Sequence, residues 1–259
     1  MKLSKNFLVP ALFGLLALQA PDARAVEPTG AVYLPNNYGK SLTTPVAWGA
    51  ANNVIFMGVG GTNPAPYTDE TDLAAVLGIG IGDAKKLGIQ IALVSLDMSE
   101  WDRYSMSLHL HHNLGSGNAF AAGVENIMLS EGGDAEQSFY MVYSQGLQGD
   151  PFVNAESGGS KLHFSIGAGT GRFGEKSPED IASGKGKHGT YVFGNIAYEV
   201  AESFNVIADW NGLNLNAGLS KTFWLGNMPI AATVGAADLT DNSGDGARLV
   251  FAVGTGFKL

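Results

Sequence analysis

The chain has no cysteine among its 259 residues. That excludes a disulfide framework, a thiolate metal centre and a lipid anchor on a cysteine after an export signal. A cysteine-free chain is common among proteins that pass through an oxidising periplasm. Basic residues are few, 15 Lys and Arg against 24 Asp and Glu, for a formal net charge of −9. With no basic stripe, nucleic-acid binding is excluded as a reading. Beyond the first twenty residues there is no long apolar run, and mean hydropathy is near zero at +0.08, so a bundle of membrane-spanning helices is excluded too. Strands that average a polar and an apolar face remain open.

The start of the chain reads as a secretory signal. Lys2 and Lys5 give a positive beginning, residues 7–20 an apolar stretch, and Ala23-Arg24-Ala25 a small-x-small cleavage site. The stretch is too short to span a bilayer, and cleavage is expected after Ala25. Removing residues 1–25 takes away Lys2, Lys5, Arg24 and Asp22, leaving 12 basic against 23 acidic residues and a net of −11.

Glycine is plentiful, 36 residues, roughly twice its average share of about 7%. It is scattered inside runs that otherwise read as strands. Residues 26–52 carry Pro28, Pro35, Pro45, Gly30, Gly39 and Gly49 with little alternation, and are expected to form an irregular lead-in able to plug a barrel. Residues 53–259 then read as twelve strands: 53–60, 72–82, 86–96, 103–112, 118–129, 137–147, 161–169, 189–200, 203–210, 213–224, 229–237 and 248–258. Each is near the ~9–11 residues a tilted transmembrane strand needs. With both ends periplasmic, the external connections are longer on the whole than the internal ones. Residues 148–160 are long for an internal turn, and Asn211-Gly212 is short for an external one. Asn-Gly predicts a two-residue type I′ turn.

Face by face, Leu77, Ile79 and Ile81 oppose Gly78 and Gly80, Leu87, Ile89 and Ile91 oppose Gly88 and Gln90, and Leu215 and Leu219 oppose Asn214, Asn216 and Ser220. The larger apolar set faces lipid, and the lining is small and weakly polar. Trp101, Tyr104, Tyr191, Tyr198, Trp210, Phe223, Trp224 and Phe257 lie near strand ends, where aromatic girdles sit. The fold class is therefore all-β, an antiparallel up-and-down transmembrane β-barrel of about twelve strands. A soluble β-sandwich or lipocalin-like barrel would put the larger apolar face inside and leave Gly-rich faces in water, poorly held.

In the closing strand Leu249, Phe251, Val253, Thr255, Phe257 and Leu259 point one way, and Val250, Ala252, Gly254, Gly256 and Lys258 the other. This strand resembles the terminal strand of bacterial outer-membrane β-barrels, which the barrel-assembly machinery reads as a signal. Most of those end in Phe, so Leu259 departs from their pattern. The segment Val206-Ile207-Ala208-Asp209-Trp210-Asn211-Gly212-Leu213-Asn214-Leu215-Asn216-Ala217-Gly218-Leu219-Ser220 resembles a hairpin in the barrel modules of YjbH-type exopolysaccharide-linked outer-membrane proteins. Residues 77–83 and 122–126 are similar to uncharacterised single-module barrels of that group. The resemblance covers about a tenth of the chain and implies the fold, with no catalytic residues to carry over.

Other chemistry has ordinary explanations. His109, His111 and His163 share the inward parity and His112 ends its strand, but no nucleophile accompanies them as an outer-membrane lipid hydrolase would need. Asp241-Asn242-Ser243-Gly244-Asp245-Gly246 matches the first half of a calcium loop, yet Ala252 stands where the closing Glu belongs. Gly169-Thr170-Gly171-Arg172-Phe173-Gly174 spells a dinucleotide motif without the βαβ setting it needs. Arg172, Lys176, Lys185 and Lys187 read as part of a solvated, mixed-charge outer loop. The sequence thus predicts no catalytic, cofactor or metal site. It predicts a narrow passive channel for small polar solutes, or a module of a polysaccharide export pathway, lined by Gln90, His109, His111, His163, Asp209, Asn214 and Asn216. The alternative is a closed structural or surface-interaction barrel. Outer-membrane lipids, lipopolysaccharide and the barrel-assembly machinery are the expected partners in the cell outer membrane.

Overall fold

The computed structural model describes residues 40–98, 101, 103–130, 136–154, 159–225 and 228–259. The signal peptide, its cleavage after Ala25 and the lead-in up to residue 39 lie outside the described residues.

Alternation builds the strands, because a period of two turns successive side chains to opposite faces of a sheet. They are β1 Val54–Asn63, β2 Asp72–Asp83, β3 Leu87–Ser95, β4 Tyr104–Gly115, β5 Asn118–Met128, β6 Ser138–Gly146, β7 Leu162–Gly169, β8 Val192–Ala201, β9 Phe204–Trp210, β10 Leu215–Leu225, β11 Met228–Ala237 and β12 Arg248–Lys258. Each pairs antiparallel with its sequence neighbours, and β1 pairs with β12 from Val54↔Lys258 to Asn63↔Leu249. The result is a closed twelve-stranded antiparallel barrel with no free edge.

The two faces are inverted relative to a soluble protein. Outward positions are large, apolar and uncovered, as with Leu77 at 53%, Ile166 at 58% and Phe139 at 54% exposure. Inward positions are buried and mixed, polar at Gln90, His109, Ser144, Asn195, Asp209 and Asn216 and apolar at Phe56, Val94, Val142 and Phe193. A continuous apolar belt of this kind exceeds the patches a soluble monomer tolerates. A soluble sandwich is set aside on that ground.

The predicted strand ends shift by at most three residues, and two loop expectations fail. A two-residue type I′ turn needs left-handed backbone at both positions. Gly212 takes it at φ 98, whereas Asn211 does not. Instead the Asn211 Oδ1 accepts from the N–H groups of Leu213 (2.9 Å) and Asn214 (2.7 Å), giving a four-residue loop. This side-chain turn lets Gly212 press against the Phe173 backbone, where a Cβ would lie 1.9 Å from the carbonyl oxygen. Second, residues 170–191 do not form a wholly solvated loop. They hold a 3-10 turn, Gly171–Phe173, and a short helix α1, Pro178–Ala182, started by Ser177 accepting from the Asp180 N–H. Arg172 turns into the barrel and is buried, because Glu125 waits inside at 2.6 Å.

Candidate functional site

Among the described residues the barrel interior is occupied by the chain's own residues 40–53. Their path follows from their partners. The Lys40 Nζ donates to the Asn205 Oδ1 at 2.5 Å and lies 3.9 Å from Glu199, beside the short β8–β9 turn. Thr43 and Thr44 form the apex, where the Arg172 Nη1 donates to the Thr43 carbonyl (2.9 Å) from the long-loop end and the Asn195 Nδ2 to the Thr44 Oγ1 (3.2 Å). The chain then descends. The Ala47 N–H donates to the Ser144 Oγ (2.7 Å), Trp48 sits edge-on to His163 with centroids 5.5 Å apart, and the Ala50 N–H donates to the Gln90 Oε1 (2.8 Å). The Asn53 N–H bonds the Gly80 carbonyl as β1 begins. The segment is thus an open bend, inserted from the short-turn end.

Asp209 fastens its apex. The Oδ2 accepts from the Ser41 Oγ (3.2 Å), the Leu42 N–H (2.9 Å) and the Thr43 N–H (2.7 Å), and the Oδ1 from the Thr43 Oγ1 (2.9 Å) and the Asn216 Nδ2 (2.6 Å). A carboxylate so surrounded by donors replaces its hydration shell with fixed hydrogen bonds. Burial draws the Lys40 ammonium down to about 7, with the Glu199 carboxylate pulling the other way.

The descending arm is held by shape. A Cβ at Gly49 would lie 2.4 Å from the His111 ring and 2.9 Å from His109, so no larger residue passes there. His109 and His111 stack at 5.5 Å, and the His109 Nδ1 meets the Tyr140 hydroxyl at 2.7 Å. The His109 and His111 rings lie against the backbone of Ala47, Trp48 and Ala50, whereas both nitrogens of His163 are buried without a hydrogen-bond partner.

Of the residues predicted to line a lumen, Gln90, His109, His111, His163, Asp209 and Asn216 all face inward against residues 40–53. Asn214 also faces inward but stands apart at the long-loop mouth, where its Nδ2 donates to Asp238 and Ser243. Sequence reasoning missed Ser144, Asn195, Glu199 and Asn205. Asn195 and Glu199 were legible, since they alternate with Ile196, Tyr198 and Val200 on β8. Glu125 and Arg172 were not, because they meet across 47 residues from a strand and a loop.

The mouth is roofed by the long loops. Tyr67 donates to Asp180 and to the Gly244 carbonyl, and burial, with the Asp180 contact adding to it, holds the Tyr67 phenol well above its usual range. Arg248 pairs with Asp238 at 2.6 Å and donates to the Thr62 Oγ1 at 2.6 Å. A cleft of about 90 Å³ lies between them, bordered by Tyr67, Arg172, Asp180, Asp238 and Arg248. The calcium-like loop is engaged by a lysine, as Lys185 bonds Asp241 and the Gly244 carbonyl. Among the described residues no group of three or more His, Cys, Asp or Glu could hold a metal ion.

No described protein family and no curated protein matches the sequence. Among solved structures the barrel is similar to the KdgM porin, both alone and in complex with disordered oligogalacturonate, at 11% identity and TM-score 0.47, covering 80% of this chain and 99% of that one. It is similar to the NanC porin at 10% identity and TM-score 0.46, covering 78% and 100%. At that identity and score the likeness concerns the barrel shape, and it carries nothing about solute or residue roles. The resemblance to YjbH-type modules finds no counterpart among these matches.

Proposed function

We propose that this chain is an outer-membrane channel for small polar solutes, held shut by its own residues 40–53. One observation carries the reading: buried acceptors of the wall, the Asp209 carboxylate, the Gln90 amide and the Ser144 hydroxyl, are satisfied by that segment. A barrel filled by its own wall side chains, as the ~8-stranded type is, has no need of an inserted arm. With residues 40–53 withdrawn, the wall is a tube of mixed polar and apolar lining, between that type and the ~16–18-stranded open porins. The apolar belt supports lipid contact, and the parity of β12 supports delivery by the barrel-assembly machinery after cleavage following Ala25. In this reading the long loops face lipopolysaccharide. In this reading the chain acts as a channel and not as an enzyme, and no observation favours polysaccharide export, which would require a lumen wide enough for a sugar chain. Gln90, His109, His111, His163, Asp209 and Asn216 would line the open lumen, with Asn214 at its mouth.

The test is single-channel conductance in a planar bilayer, comparing the intact chain with Asp209→Asn. The intact chain should open rarely, and the variant often. Silence from both, in protein shown folded by heat-modifiable gel mobility, would sink the channel and leave a structural barrel.

A further inference from the structure

We propose that the cleft at the long-loop mouth is a binding site for a small zwitterion of the α-amino-acid kind, with an ammonium and a carboxylate side by side. The cleft is complete with residues 40–53 in place, so the site goes beyond the channel reading and does not need the lumen to open. Three segments build it: Asp180 comes from α1, Asn211 from the β9–β10 loop and Arg248 from the start of β12, and all three border the cleft. The Asp180 Oδ1 accepts from Tyr67 and from the Gly244 N–H (2.8 Å), and the Asn211 Oδ1 from the Leu213 and Asn214 N–H groups. Arg248 spends its Nε on Asp238 and its Nη1 on Thr62. Among the described residues, the Asp180 Oδ2, the Asn211 Nδ2 and the Arg248 Nη2 have no hydrogen-bond partner. These residues are only 3%, 8% and 6% exposed, yet none of the three atoms is sealed from solvent. Buried polar groups are bonded as a rule, so three exceptions open to one cleft point to a ligand's polar groups.

A short chain of contacts ties the three together. The Gly244 N–H bonds Asp180, and a Cβ at Gly244 would lie 3.3 Å from the Asp238 Oδ2, which accepts from Arg248 at 2.6 Å. On the other side the Asn214 N–H bonds Asn211 while its Nδ2 donates to Asp238. Asp238 is spent on Arg248 and Asn214, and Glu175 on Tyr191 and His188. Asp180 is therefore the bordering carboxylate with an oxygen to give. Arg172 adds positive charge at the inner border, engaged by Glu125 and the Thr43 carbonyl. An anion alone would bond Asn211 and Arg248 but meet the charge of Asp180. An organic cation alone would bond Asp180 but meet Arg248 and Arg172. A neutral polyol would find the same donors and acceptor, yet charge-assisted bonds are roughly twice as strong as neutral ones. A zwitterion answers each sign with its opposite. Pro66, Tyr67 and Leu213 supply an apolar border for its carbon skeleton, and at about 90 Å³ the cleft suits a small one.

The experiment titrates the intact folded chain in detergent micelles, near neutral pH, with L-alanine and with its two halves, propionate and ethylamine. Amide chemical shifts of Leu213 and Asn214 report the Asn211 side, and that of Gly244 the Asp180 side. Alanine should shift all three and saturate. Each half should bind at least about tenfold more weakly, because one charge-assisted contact is missing. Two near-isosteric changes keep the bonded oxygen and alter the unbonded atom. Asp180→Asn should weaken alanine and ethylamine about tenfold and leave propionate as tight or tighter. Asn211→Asp should weaken alanine and propionate and leave ethylamine as tight or tighter. Damage to the loops would lower all three ligands together, so the crossed pattern separates recognition from damage. Propionate binding as tightly as alanine, a parallel loss in both variants, or no saturable alanine shift in protein shown folded by heat-modifiable gel mobility would overturn the proposal. Conductance is a separate readout: a chain that binds alanine but stays silent sinks the channel alone, and one that conducts without binding alanine sinks this site alone.

Discussion

Asp209 shows how much one side chain does. It converts an irregular stretch with no period into a fixed bend by offering acceptors to two backbone amides and two hydroxyls. Asp209→Asn keeps the shape but replaces an acceptor oxygen by a donor group, setting N–H against N–H. It should loosen the bend by about 1–3 kcal/mol, read as faster exchange at Leu42 and Thr43 with the strand amides unchanged. Lys40 gives the same bend a pH dependence. Its docked value is about 7 against an ordinary 10.5, so between those two the released state binds a proton that the docked state does not. Docking therefore strengthens as pH rises through that window and is weakest, and level, below about 7. Open probability of the intact channel should fall from pH 7 to 10, and Lys40→Met should abolish that slope. Glu199, Asn205 and His163 are the groups facing this amine.

At the scale of the element, the scattered glycines have a job that their number alone did not reveal. Phe56 stands opposite Gly78 in register, and Phe193 opposite Gly167. A Cβ would lie 2.1 Å from the Phe56 ring at Gly78 and 2.3 Å from the Phe193 ring at Gly167. Each glycine is a seat for an inward ring on the next strand, a pairing that also pins register. The lining was thus read as roomier than it is. Gly78→Val should cost about 1–3 kcal/mol by overpacking and lower the urea midpoint, whereas a substitution at outward Ile79 to Val should move it little. The strands themselves were legible because alternation is local: β12 falls where predicted, and the inward parity of His109, His163 and Asn216 follows from counting by two. What was not legible is long-range. Nothing near Lys40 announces Asn205, which is 165 residues away. Arg172 looks like any loop arginine until Glu125 is placed beneath it. Asn211-Gly212 carries a strong local turn signal, which the approach of Phe173 overrode.

The whole molecule is a closed wall plus an inserted arm, and these are stabilised differently. The wall has a complete ladder of strand pairing around its circumference. The arm rests on side-chain hydrogen bonds, on apolar packing of Leu42, Val46, Ala47 and Trp48, and on the close fit of Gly49 to two imidazoles. In the proposed opening the arm leaves while the strand ladder of the wall stays closed. The absence of native cysteine makes this directly testable. An added Cβ at Gly49 lies 2.4 Å from the His111 ring, so Gly49→Cys with His111→Cys sets two thiols at neighbouring positions of arm and wall, where a disulfide can be formed under oxidation. The decisive measurement is bilayer conductance of that double variant before and after reduction, with bond formation checked by thiol titration. Conductance should be absent while the arm is tethered and appear on reduction. Equal conductance in both states would show that residues 40–53 do not close the lumen, and would contradict the account.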